Sequence, residues 1–277
     1  MAQDPWSTPD PIEGGAITLS ETLDESGVSP VTIALLGASN LSRGYWALSH
    51  CLRDNLRQHR VRVLAALGPG RGYVAPGGLW PLIFSPIKDC GIFQTLRQYN
   101  QEGNRTFAFL TDLGNDFLFN VTGEELIQVL DATFCRLEES GTQILVTPIH
   151  PVLMEVLTPN IYKILRAWLY PKSRVSFEQV IFGIGSVNEF LIEAENAGRI
   201  RRVVGLDAFL GWDYVHYGWM QANKAWNCAV DAMLSSMGEA RRVSITREQM
   251  FTSYFENGVR LVGTDMLSCY PRRSYLF

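Results

Sequence analysis

Apolar, β-branched runs alternate along this chain with stretches of helical periodicity, and that alternation constrains the fold more than any other feature. VTIALLG at 31–37 is apolar almost throughout, and VRVLAALG at 61–68, RTFAFLTDLG at 105–114 and QILVTPIHP at 143–151 follow in the same manner, with RRVVGLDAFL at 201–210 as a fifth. Between them lie helical patterns. Residues 45–58 carry Leu48, Leu52 and Leu56 at four-residue spacing, and 124–139 set Leu126, Val129, Leu130, Phe134 and Leu137 on one side before the stop at Gly141. Further helices are expected over 160–169, which ends at Pro171, over 187–198 and over 222–237.

A strand that is apolar at nearly every residue, rather than at every second one, is covered on both faces. Such strands alternating with helices predict a parallel sheet between two helical layers. The expected architecture is therefore one α/β domain at 29–240, a three-layer flavodoxin-like fold around a central, mainly parallel five-stranded sheet. The 277-residue length is sufficient for one such core. Residues 1–28, rich in Pro, Asp, Ser and Gly, read as a flexible N-terminal arm. The Gly- and Pro-rich segment 69–100 reads as loop, and 241–277 as an irregular, aromatic extension packed on the domain.

Several function classes are set aside by composition and pattern. The net charge of −4, with only Arg199, Arg201 and Arg202 clustered, argues against a nucleic-acid partner. No apolar run approaches the ~20 residues of a membrane span. Residues 1–26 hold Asp4, Asp10, Glu13, Glu21, Asp24 and Glu25 but no Lys or Arg, unlike a secretory leader, so the expected compartment is cytoplasmic. The five cysteines are widely spaced and form no CxxC pair, which implies neither a zinc site nor a disulfide framework. GPGRG at 68–72 lacks the Gly-Lys-Ser/Thr ending of a phosphate loop, and Gly183-Ile184-Gly185 lacks the third glycine of a dinucleotide fingerprint. No metal or organic cofactor is expected, and the sequence sets no oligomeric state.

Ligands of open parallel sheets bind beyond the carboxyl ends of the strands. The polar residues there are Ser39 and Asn40 after the first strand, the glycines and Arg71 of 68–72 after the second, and Asn115 and Asp116 after the third. Far downstream comes Trp212-Asp213-Tyr214-Val215-His216-Tyr217-Gly218. Acyl transfer needs a hydroxyl nucleophile, a histidine to take its proton, a group to orient that histidine, and donors aimed at the oxyanion. Ser39, His216 and Asp213 supply the first three types, with Asp213 three residues before His216. The Ser39 N–H, a glycine N–H from 68–72 and the Asn115 amide are candidate oxyanion donors. Ser42 is the competing hydroxyl, better suited to cap a helix starting at Tyr45, and Asp116 reads as a structural cap for the segment that follows it. His150, in Pro148-Ile149-His150-Pro151, is the alternative base or substrate contact.

These segments resemble the SGNH (GDSL-type) hydrolase superfamily. Its four blocks would be Gly37-Ala38-Ser39, a glycine of GPGRG, Leu113-Gly114-Asn115-Asp116 and Asp213-Tyr214-Val215-His216, in that order. The resemblance implies Ser39 as nucleophile, His216 as base, Asp213 as its partner, and the Ser39 N–H, Gly70 and Asn115 as oxyanion hole, acting on a small acyl or O-acetyl ester. Two departures stand out. Ala38 occupies the place of the family's usual Asp, and Gly114 directly precedes Asn115 instead of lying two residues before it. Ala38 keeps open a non-catalytic relative that binds a small ligand or partner. An acyltransferase using the same serine is the other alternative.

Overall fold

The structure is a computed structural model that describes residues 30–78, 81–169, 173–269 and 276–277. The expected arm at 1–28 lies outside those residues. Five strands, β1 (Val31–Leu36), β2 (Val61–Ala66), β3 (Arg105–Leu110), β4 (Gln143–Val146) and β5 (Arg201–Arg202), form one sheet in the order β2-β1-β3-β4-β5. Every pairing is parallel: Val31 stands opposite both Val61 and Arg105, Phe107 opposite Gln143, and Leu145 opposite Arg201. This is the doubly wound order of a flavodoxin-like fold.

Alternate side chains of each strand enter opposite cores. Ala34, Leu36, Leu110 and Val146 meet α2 (Ile92–Gln101), α3 (Gly123–Glu139) and α6 (Phe177–Asn196) on one face. Ile33, Leu35, Phe109 and Leu145 meet α1 (Ser39–Asn55) and α7 (Ala222–Met237) on the other. The α1–α7 contact depends on Gly44, because a Cβ there would stand 2.2 Å from Nε1 of the fully buried Trp226. Two further helices, α4 (Val152–Val156) and α5 (Pro159–Leu169), lie between β4 and α6 in the chain. No helix among the described residues is long and apolar enough to cross a membrane.

Several elements differ from the sequence expectation. Helix α1 starts at Ser39 rather than near Tyr45, so Asn40 to Gly44 are helical. β4 ends at Val146, ahead of Pro148 and Pro151, which have no N–H to give a ladder. β5 has two residues instead of ten, because Gly205, at φ +81°, turns the chain into a 3-10 turn at Leu206–Phe209. Helix α6 begins ten residues early, on a capping box in which Ser176 and Gln179 each accept the other's backbone N–H. The segment expected to be loop is helical over 92–100, where α2 begins.

The tail is also more regular than expected. It forms α8 (Arg247–Val259), capped by Thr246 and Gln249 and continued as a π-helix at Arg260–Met266. Helix α8 rests on α1: Met250 and Ser253 are buried, and the Ser253 hydroxyl donates to the Arg43 carbonyl at 2.7 Å while accepting from the Ala47 N–H. At the outer edge of β2, the Phe277 N–H donates to the Ala65 carbonyl.

Candidate active site

The carboxyl ends of β1, β2, β3 and β4 open onto one cavity of about 870 Å³. Ser39 is the first residue of α1, so its N–H has no carbonyl within the helix to bond. Its hydroxyl lies 2.9 Å from Nε2 of His216, and Nδ1 of His216 lies 2.7 Å from Asp213 Oδ2. The imidazole is thus held between the Ser39 hydroxyl and a carboxylate.

A tight turn makes that approach possible. Tyr214 takes a left-handed φ of +54°, the Gly211 N–H donates to the His216 carbonyl at 2.7 Å, and Leu210 bridges antiparallel to Tyr217. The second oxygen of Asp213 accepts the Val215 and His216 N–H groups at 3.1 and 2.9 Å. Burial pushes the Asp213 carboxyl up, but the hydrogen bonds and charge of His216, with the Val215 N–H, outweigh it and bring the pKa down to about 2.

Gly70 and Asn115 both line the cavity. Gly70 has φ +72°, which favours glycine. Neither flanking glycine lines it: Gly68 packs against Phe84 and Gly72 against the Asp116 carboxylate. Asn115 approaches the Asp112 carbonyl with its Nδ2 at 3.4 Å. Asp116 does not cap the segment after it. Its buried carboxylate accepts the N–H groups of Tyr73, Val74 and Ala75 at 2.7 to 3.2 Å, and so holds the loop that carries Gly70. Ser42 is not an N-cap either; it lies inside α1 and donates to Asn257 while accepting from Arg260. His150 lines the cavity with its ring edge toward Tyr217, and burial holds it below the usual imidazole range against the pull of Asp112 and Asp207.

Two residues central to this geometry were not singled out for it from the sequence. Asp112, at φ +60°, directs one carboxylate oxygen to the N–H groups of Ala38 and Leu41 at 2.9 and 3.2 Å and the other to Asn40 Nδ2 at 2.9 Å. Asn40 in turn donates to the Val215 carbonyl and accepts the Tyr217 N–H, both at 3.0 Å. Asp112 stands two residues past β3, a position that marks it as a site candidate, and it brings a carboxylate to the turn where Ala38 has none. Arg43, Trp219 and Asn257 also line the cavity; nothing in the sequence pattern ties α8 to it. Among the described residues no group of three or more His, Cys, Asp or Glu could hold a metal ion.

No family model and no curated protein matches the chain. Among solved structures, the chain is distantly similar to several, esterases among them. A psychrotrophic esterase, EstA from Pseudoalteromonas sp., solved with monoethylphosphonate as inhibitor, is 13% identical over 75% of this chain and 99% of its own, with a TM-score of 0.45. TesA is 16% identical over 72% of this chain and 95% of its own, at 0.42. A Clostridium thermocellum family 3 carbohydrate esterase is 14% identical over 74% and 98%, at 0.39. These are distant likenesses, and the roles assigned to residues below rest on the geometry of this chain.

Proposed function

We propose that this protein is a serine ester hydrolase of the SGNH (GDSL) type, with Ser39 as nucleophile, His216 as general base and acid, and Asp213 as the group that orients and charges the imidazole. What supports this reading above all is the unbroken series Ser39 Oγ–His216 Nε2 at 2.9 Å and His216 Nδ1–Asp213 Oδ2 at 2.7 Å, at the wall of a large cavity. A hydroxyl is a weak nucleophile until a base takes its proton, and this pairing of serine, imidazole and carboxylate is the arrangement that does so.

In the reaction proposed, the Ser39 oxygen attacks the acyl carbonyl as its proton passes to His216 Nε2. Asp213, ionised well below neutral pH, stabilises the imidazolium. The oxyanion of the tetrahedral intermediate takes hydrogen bonds from the Ser39 N–H, the Gly70 N–H and the Asn115 side chain. Collapse returns the proton from His216 to the leaving alcohol and leaves an acyl-enzyme on Ser39. Water, deprotonated by His216, then releases the acid.

A fluorescent fluorophosphonate, which bonds covalently only to an activated serine, tests this directly. The wild type is expected to label, and Ser39→Ala and His216→Ala to lose the label while keeping their circular dichroism spectra. Labelling that survives in Ser39→Ala, or a folded wild type that stays unlabelled, rejects the reading.

A further inference from the structure

The cavity is far larger than an acetyl group needs. Its apolar lining includes Leu113 and Phe117, which follow β3, Ile149, which follows β4, Leu157 and Tyr162 of the α4–α5 segment, and Ile184 of α6. At about 30 Å³ for a water-sized group, a cavity of 870 Å³ holds many methylenes beyond the one carbon an acetyl group adds to its carbonyl.

Of the polar side chains beside these apolar ones, Tyr162 and Arg166 already bond within the protein, Arg166 through one of its N–H groups. The Tyr162 hydroxyl donates to the Val175 carbonyl at 2.7 Å. The Arg166 guanidinium donates to the same carbonyl at 3.1 Å and lies over the Tyr162 ring. A sugar ring there would lose its water and find few partners in exchange, a costly substitution. A hydrocarbon chain loses nothing and gains dispersion and burial.

We infer that the chamber between α4, α5 and α6 takes the acyl part of the substrate, and that this part is an apolar chain of about eight carbons or more rather than acetyl. The inference rests on the hydrolase reading. It assigns the leaving alcohol to the part of the cavity that Arg43 and Trp219 line.

The test is a kcat/KM series with p-nitrophenyl esters from acetate to decanoate, run on wild type, Ile184→Phe and Leu157→Trp. Ile184 is buried, so its variant risks misfolding; Leu157 is only partly buried, and its variant keeps the test available. Each buried methylene is worth up to about four-fold, and a rise of at least about 100-fold from acetate to octanoate is expected. Leu157→Trp is expected to lower octanoate hydrolysis at least ten-fold while leaving acetate hydrolysis within about three-fold of wild type. A general structural defect would lower both alike. A profile that peaks at acetate, or a Leu157→Trp variant that lowers all chain lengths equally, overturns the chamber assignment while fluorophosphonate labelling still supports the hydrolase. A folded wild type that neither labels nor cleaves any ester overturns both.

Discussion

Ala38 has no polar side chain to offer the turn into α1, and the carboxylate its N–H meets belongs to Asp112, 74 residues further on. Replacing Asp112 with Ala would leave two backbone N–H groups and the Asn40 amide without this acceptor, and a lost hydrogen bond to a charged group costs about 1.5–3 kcal/mol. Asp112→Ala is expected to lower stability by about 2–4 kcal/mol in urea titration and to reduce kcat/KM by about ten-fold or more. Asp112→Asn keeps an acceptor and a residue type that tolerates the left-handed backbone, and should lose less. Ala38→Asp, which restores the usual residue of the first block, should harm rather than help, because it sets a second carboxylate beside Asp112.

Asp213 carries a pH signature. Its folded pKa, about 2, lies below the 3.8 of a free carboxyl, so folding favours its ionised form. The stabilisation is complete above about pH 4 and is lost as the pH falls through about 2. Urea stability of wild type minus that of Asp213→Asn should therefore rise between pH 2 and 4. Ser39, His216, Asp213, Gly70 and Asn115 could be named from sequence because each is a chemistry-bearing residue or a glycine at a strand end or in a short spaced pair. Asp112 was harder to find, because the expected strand over 105–114 enclosed it and two of its three partners are backbone N–H groups, which leave no trace in residue identity.

Among the elements, α1 is the one most tightly specified by its neighbours. Gly44 faces the indole of Trp226 with no space for a methyl group, so Gly44→Ala gains intrinsic helix propensity yet overpacks the α1–α7 contact. The packing term wins: a net loss of about 1–3 kcal/mol is expected, read as a lowered Tm, and a smaller side chain such as Leu at position 226 should recover part of it. The same helix shows why its start was misjudged. Asn40, Ser42 and Gly44 are poor helix formers on propensity, but Asn40 and Ser42 are bonded to other segments and Gly44 is required by Trp226. Tertiary contacts override propensity there. By contrast, the early start of α6 and the existence of α8 were legible in principle, since Ser176-x-x-Gln179 and Thr246-x-x-Gln249 are both capping boxes.

At the scale of the molecule, the strand count, the parallel pairing and the two-sided core follow from apolar runs that never alternate. The strand order does not, because every βαβ unit can in principle step to either side. The order β2-β1-β3-β4-β5 puts β1 and β3 side by side at the centre, and that adjacency brings Asp112 to the start of α1. It also sets the carboxyl end of β2, with Gly70, beside that of β1. The 177-residue separation between Ser39 and His216 has a consequence for how the protein is made. Chains emerge from the ribosome amino end first at about 5–20 residues per second, so the serine precedes its base by roughly 9–35 s. On the proposed reading, the Ser39 hydroxyl stays inert throughout that interval, and the chemistry switches on only once His216 has been made.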